Sequence, residues 1–254
     1  MTYCLAISVT AGMVLCSDSR TNAGVDQIST YSKMFRFDLG TERQFVILTA
    51  GNLATSQATM AQLKKDIQQH ADTSLSNVTS IDDAADYLGA ISRRQQEKQT
   101  ANGQLFSASF ILAGQIAGSE HRIVMIYPEG NYITSSKDTP YLQIGESKYG
   151  KPILDRILTP ATSLETATLC ALVSMDATMR SNITVGPPIE VQLYSTDSFS
   201  LHDYYRHEED SEFLRGLKKD WDNGLKEAFL RMPSLSSSAD WLAAKNSEEP
   251  AIGS

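Results

Sequence analysis

Threonine at the second position, directly after the initiator methionine, is the first residue here that could do chemistry. Removal of Met1 would leave Thr2 as the N-terminus, with nucleophile and base on one residue. A threonine hydroxyl attacks poorly until a neighbouring base accepts its proton. The α-amine is suited to that task, because its ordinary pKa of roughly 7.7–8.0 leaves a useful neutral fraction near physiological pH. A small second residue is common, so the reading rests on the residues that come after Thr2.

Those residues are strand-patterned. Tyr3, Leu5, Ile7 and Val9 alternate with the smaller Cys4, Ala6 and Ser8, Ala11-Gly12 interrupts, and Met13-Val14-Leu15-Cys16 resumes the pattern. This predicts a hairpin. Its second strand runs into Ser17-Asp18-Ser19-Arg20-Thr21-Asn22-Ala23-Gly24, and Ser32-Lys33-Met34-Phe35 comes after a polar loop. In order and spacing these residues resemble the opening of proteasome β-type subunits, a family of N-terminal-nucleophile hydrolases. The resemblance continues through Phe45–Ala54, Ser109–Gly114, Arg122–Gly130 and Ile144-Gly145, and spans roughly residues 2–202. Within the family it is most similar to the ancestral-beta-subunit (Anbu) branch, on the segments at 17–24, 145–152 and 175–182.

The resemblance implies roles for particular residues. Lys33 would stand beside the α-amine, where a second positive charge disfavours protonation and steadies negative charge developing on the hydroxyl oxygen. Asp18 would hold Lys33 in place. Gly51 would offer a backbone N–H to the oxyanion of an acyl transfer, a place where the missing side chain permits close approach; as a strand-to-helix turn glycine it has a structural role as well. Thr21 and Asn22 would lie on the strand edge to which an extended peptide adds. Where the family carries Gly-Ser-Gly, this chain has Gly145-Glu146-Ser147-Lys148, so Ser147 is the candidate for the assisting serine. The family's Asp-x-x-Ser is also altered: Asp176 and Ser181 are the candidates, each against a plainer role in helix-end capping and polar satisfaction.

Composition fits this reading and excludes others. A chain of 254 residues, 41% hydrophobic, can bury one sizeable core. Its net charge of −8 argues against broad attraction to nucleic acid or anionic membrane. No apolar run approaches a bilayer span, and no basic segment precedes an apolar stretch at the N-terminus, so a soluble, cytoplasmic protein is expected. Three cysteines, Cys4, Cys16 and Cys170, without Cys-x-x-Cys spacing argue against a disulfide framework. The four histidines, His70, His121, His202 and His207, likewise lack metal-ligand spacing, so no metal and no cofactor is expected.

Periodicity supplies the elements that must position Thr2. After the hairpin, strands are expected at 34–38 and 44–49, helices at 53–71 and from Ser80 to about 98, strands at 108–116, 122–128 and 131–136, helices near 149–158 and 164–179, and strands at 188–194 and 198–202. That order suits an α+β fold in which helical layers cover both faces of a two-sheet sandwich. The resemblance gives it a name: the four-layer αββα sandwich of two antiparallel sheets. A domain at 2–202 is expected to be followed by a C-terminal helical extension at 203–232 and a flexible tail at 233–254. The extension carries an amphipathic helix at 208–231, with Phe213, Leu214, Leu217, Trp221, Leu225 and Phe229 on its apolar stripe. Such a stripe must bury itself on its own domain or on a neighbouring subunit.

Together these readings predict a threonine-type peptidase or amidohydrolase acting on a peptide or small amide through a threonyl ester, matured by loss of Met1. The resemblance implies self-assembly into a ring or open spiral of like subunits. Two other functions fit the same residues: a transferase or ligase partner, in which an amine resolves the ester, and a non-catalytic assembly scaffold.

Overall fold

The computed structural model describes residues 1–22, 28–99 and 106–234. Twelve strands and five helices occur among them, in the order β1 (Tyr3–Val9), β2 (Gly12–Asp18), β3 (Arg20–Asn22), β4 (Ile28–Thr30), β5 (Met34–Asp38), β6 (Arg43–Gly51), α1 (Leu53–Gln68), α2 (Ile81–Gln99), β7 (Ala108–Ile116), β8 (Arg122–Ile126), β9 (Tyr132–Thr134), β10 (Tyr141–Gly145), α3 (Lys151–Ile157), α4 (Leu164–Ser181), β11 (Ile189–Ser195), β12 (Tyr204–His207) and α5 (Glu212–Leu230). One five-stranded sheet runs β10-β1-β2-β11-β12, a second runs β5-β6-β7-β8-β9, and β3-β4 form a small separate pair. All pairings are antiparallel.

Alternation along each strand builds the layers. In β6, Phe45 and Ile47 join Met60 and Leu63 of α1 and Leu88 and Ile91 of α2 in one core, while Val46 and Leu48 join Cys4, Ala6, Met13 and Leu15 of the other sheet in a second. One strand thus feeds two cores because successive side chains point to opposite faces. In β1 the interior face is Cys4 and Ala6, and on the far face the Tyr3 hydroxyl meets Ser174 Oγ of α4 at 2.7 Å. Helices, sheet, sheet, helices is the αββα sandwich.

Helix starts follow local chemistry. The Asn52 side chain accepts from the Thr55 N–H at the head of α1, and Ser163 accepts from the Thr166 N–H at the head of α4, each satisfying a donor that the first turn leaves open. Among the described residues no helix is long and apolar enough to cross a membrane.

One expected strand is displaced. Residues 198–202 form no strand, and the last strand of the sheet is β12, pairing Gln192 with Tyr204 and Ile189 with His207. Asp197 and Phe199 adopt positive φ, at 60° and 45°, and the Ser198 N–H closes a turn onto the Ser195 carbonyl. Phe199 and Leu201 therefore alternate without lying in a strand, and Leu201 alone goes into the core between the sheets. The short pair β3-β4 has no periodic signal of its own.

The chain divides into two compact units, one ending at Ser211 and one beginning at Glu212. The second holds α5, none of whose residues is buried. Residues 235–254, most of the expected tail, lie outside the described residues.

Candidate active site

Asp18 closes β2 and its side chain is fully buried. A carboxylate in such a place must be paired and hydrogen-bonded. Its Oδ1 accepts from Lys33 Nζ at 2.6 Å and from the Tyr3 backbone N–H at 3.0 Å, and its Oδ2 accepts from the Gly186 N–H at 3.3 Å. Burial pushes the carboxyl up from its ordinary value, opposed by the charge and hydrogen bond of Lys33 and then by the two backbone donors. Asp18 thus holds the lysine and also fixes the backbone immediately after Thr2.

Lys33 arrives from the turn before β5, and its backbone is tied to the second sheet by the Thr49 N–H on the Lys33 carbonyl at 3.0 Å. Its ammonium donates to Asp18 and to the Arg20 carbonyl at 2.7 Å. The lysine therefore bridges the sheets at the end of the sandwich where β1 begins. There Thr2, Arg20, Thr21, Lys33, Thr49, Ala50, Gly51, Leu53, Ser56 and Gly145, with Met1, line a cavity of about 340 Å³.

Two glycines shape this cavity. Gly145 ends β10 with φ +84°, and a Cβ there would sit 2.0 Å from the Thr2 carbonyl oxygen, so only glycine lets the two chains approach. The next residue closes the contact, Glu146 N–H donating to the Thr2 carbonyl at 2.7 Å. Gly51 ends β6 with φ +106°, and a Cβ there would meet the Ser107 carbonyl at 2.5 Å.

The structure brings Thr2, Asp18, Thr21, Lys33 and Gly51 into one site, Asp18 lying behind Lys33. Asn22 is in β3, but its side chain lies outside the described residues. Ser147, Asp176 and Ser181 are not among the residues lining the cavity. Asp176 pairs with Arg180 one turn along α4 at 3.5 Å, and Ser181 is exposed at the end of that helix. Reading from the sequence alone missed Glu146 and Gly186. Glu146, adjacent to the expected Ser147, makes the contact with Thr2 and also receives Asn182 Nδ2 on Oε2 at 3.2 Å. Gly186 donates to Asp18 from the loop after α4, and no local pattern announces it.

The electrostatics at this end favour an uncharged amine. The amine at the head of the chain, that of Met1, lies below its ordinary value of about 8, first through burial and then through the Lys33 ammonium, with Asp18 and Glu146 pulling it back. Thr2 stands next to it, its own carbonyl accepting from the Glu146 N–H and the N–H that follows it donating to Asp18.

A profile of the proteasome-subunit family matches residues 2–193. No curated protein matches the chain. Among solved structures, Anbu (ancestral beta-subunit) from Yersinia bercovieri is 45% identical with a TM-score of 0.88, over 92% of this chain and 99% of that one. A helical assembly of the Anbu complex from Pseudomonas aeruginosa is 45% identical with a TM-score of 0.87, over 91% and 97%. Anbu from Hyphomicrobium sp. strain MC1 is 39% identical with a TM-score of 0.85, over 91% and 98%. By sequence profile, by identity over nearly the whole length and by the αββα fold around this cavity, the chain belongs to the proteasome-subunit family, in its ancestral-beta-subunit (Anbu) branch.

Proposed function

We propose that the chain is a threonine-type N-terminal-nucleophile hydrolase that cleaves a peptide or small amide once Met1 is removed. The observation that carries this reading is the Lys33–Asp18 pair, 2.6 Å apart, with Asp18 fully buried and Lys33 reaching the cavity that Thr2 lines. Thr2 Oγ attacks the scissile carbonyl carbon while its proton passes to the α-amine, within one residue. Lys33 lowers the proton affinity of that amine and stabilises the charge on Oγ. The Gly51 N–H is assigned to the tetrahedral oxyanion. Collapse breaks the amide C–N bond, the leaving amine takes the proton, and a threonyl ester remains. Water adds to that ester by the same route in reverse, the α-amine now activating the water and returning the proton to Oγ.

An extended substrate would lie along the β3 edge at Thr21, gaining main-chain hydrogen bonds with little dependence on its sequence. Asp18 does not touch the substrate. Ser147, Asp176 and Ser181 are assigned no step. The chain is further read as working in a homo-oligomer, which the helical assembly formed by the Pseudomonas aeruginosa relative supports.

The test is turnover of a fluorogenic peptide-amide panel by protein whose intact mass shows Thr2 at the N-terminus. Release that disappears in Thr2→Ala is expected, and equal release by the two proteins would refute the reading. Release by the parent only when an amine is added would assign it to transfer rather than hydrolysis.

A further inference from the structure

Glu190, on β11, is a buried carboxylate that the proposed mechanism does not use; it is 3% exposed and pairs across the sheet with Ser17 of β2 and Arg206 of β12. A carboxyl group taken out of water must be hydrogen-bonded, so its partners define what it does. Its Oε2 accepts from Ser19 Oγ at 3.0 Å and its Oε1 from the Tyr204 hydroxyl at 2.5 Å. Both hydroxyls donate into the carboxyl group, and each is thereby held in one orientation.

Ser19 is the junction at which the chain leaves β2 in the large sheet and enters β3 in the small one. Its two neighbours are the residues that hold the lysine: Asp18 by its carboxylate at 2.6 Å and Arg20 by its backbone carbonyl at 2.7 Å. The backbone N–H groups of Ser19 and Arg20 share the Gly186 carbonyl, at 3.3 and 3.2 Å. The Ser19 side chain ties this junction to β11. On the outer side, the Arg36 guanidinium lies 3.9 Å from the centre of the Tyr204 ring and donates to the Leu201 carbonyl, fixing the hydroxyl that closes the network.

We propose that Glu190 is a positioning residue for Lys33: by anchoring Ser19 it sets the spacing between the Asp18 carboxylate and the Arg20 carbonyl, and so the place of the ammonium beside the N-terminal amine. The proposal rests on the assignment of Thr2 and Lys33 above. Glu190 touches neither substrate nor Thr2.

Among the described residues, the groups that act on the Met1 amine are Lys33, Asp18 and Glu146, and the amine of Thr2 lies beside it. Glu190 is faced by Ser17 and Ser19 from the β2 side, by the Cys4 thiol from β1, and by Tyr204 and Arg206 from β12, the last paired with Glu208 at 2.7 Å. A lysine moved out of place depresses the amine less, so the acid limb of the rate profile must move toward higher pH.

The experiment compares parent, Glu190→Gln, Ser19→Ala and Tyr204→Phe, each with Met1 removed. Active sites are titrated with a peptide epoxyketone, and kcat, KM and the acid limb are measured per titrated site. Glu190→Gln and Ser19→Ala are each expected to lower kcat about 10- to 100-fold, the scale of a small misplacement of a catalytic group, with KM within about twofold. Both should move the acid limb up, and the double variant should be no worse than the poorer single one. Tyr204→Phe, which leaves the bond to Ser19, should cost less than either. If kcat per site and the acid limb stay at the parent's values while only the melting temperature falls, Glu190 is structural and the proposal is wrong. Should Glu190→Gln fail to fold, Ser19→Ala decides by the same readouts. A parent that takes no label at Thr2 would instead overturn the underlying assignment of Thr2.

Discussion

Lys33 and Asp18 are a buried pair, and a buried pair is asymmetric under mutation: removing one partner strands the other. Lys33→Ala should therefore cost stability of roughly 3–5 kcal/mol as well as turnover. The rate per folded molecule should fall by about 10²–10⁴, the scale of a general acid–base or electrostatic contribution. It should also carry a signature that instability lacks. Lys33 depresses the Met1 amine and Glu146 raises it; if both act alike on the amine of Thr2, loss of Lys33 should move the acid limb of the pH–rate profile to higher pH and Glu146→Gln should move it down. Opposite shifts in the two variants are expected, and shifts of the same sign would contradict the electrostatic account. Gly145→Ala is a purely steric test. A Cβ 2.0 Å from the Thr2 carbonyl must displace the nucleophile, so electrophile labelling of Thr2 should slow by about 100-fold. At the level of single residues the sequence was legible where a residue ends or borders a patterned strand, Thr2 before β1, Asp18 at the end of β2 and Lys33 before β5. It was not legible where the site depends on how distant segments meet. Glu146 and Gly186 reach the site by tertiary approach, and nothing local distinguished Glu146 from Ser147.

Elements were legible in proportion to their periodicity. The helix read at 53–71 is Leu53–Gln68 and the strand read at 108–116 is Ala108–Ile116, because long segments repeat their pattern several times. The segment at 198–202 misled, since Phe199 and Leu201 alternate in a turn whose positive φ angles no apolar pattern encodes. That turn packs near His121, whose Nε2 bonds to the Val9 carbonyl at 2.9 Å and whose Nδ1 meets Thr196 Oγ1 at 3.1 Å. A donor toward Val9 requires the Nε2–H tautomer, while the Thr196 hydroxyl beside Nδ1 donates to the Thr10 carbonyl at 3.1 Å. Burial holds this imidazole below its ordinary value, and His207 likewise. A histidine depressed in the folded state takes up its proton more readily when unfolded, so its contribution is complete above about pH 6.5 and is lost as pH falls below that. Chemical denaturation should show stability declining from pH 7 toward pH 5.5, with a shallower decline in His121→Gln. An unchanged slope in that variant would remove His121 from the explanation.

At the scale of the whole molecule, α5 is the element that the sandwich does not explain. Phe213, Leu225 and Phe229 are all exposed, Phe229 by 77%. A buried Leu or Phe is worth about 1.5–3 kcal/mol relative to exposure, so several such groups could hold two subunits together. Truncation to test this must fall after Ser211, because β12 at Tyr204–His207 belongs to the sheet and an earlier cut would remove it. That truncation, and Trp221→Glu, are each expected to leave a folded sandwich and to shift the particle toward smaller species in light scattering coupled to size exclusion. An unchanged particle in both would show that α5 does not hold subunits together. The amphipathic stripe was plain in the sequence; what covers it was not, because periodicity says that a face must be buried without naming the surface that buries it.

If one residue supplies both nucleophile and base, intact-mass and peptide-level mass spectrometry after treatment with a peptide epoxyketone must show it. That electrophile needs a hydroxyl and an α-amine on the same residue to close its cyclic adduct. One adduct per chain, mapped to Thr2, is expected in protein that has lost Met1, and none in protein that retains Met1 or carries Thr2→Ala. Peptide turnover by protein whose every molecule retains Met1, or an adduct mapped to any other residue, would contradict it.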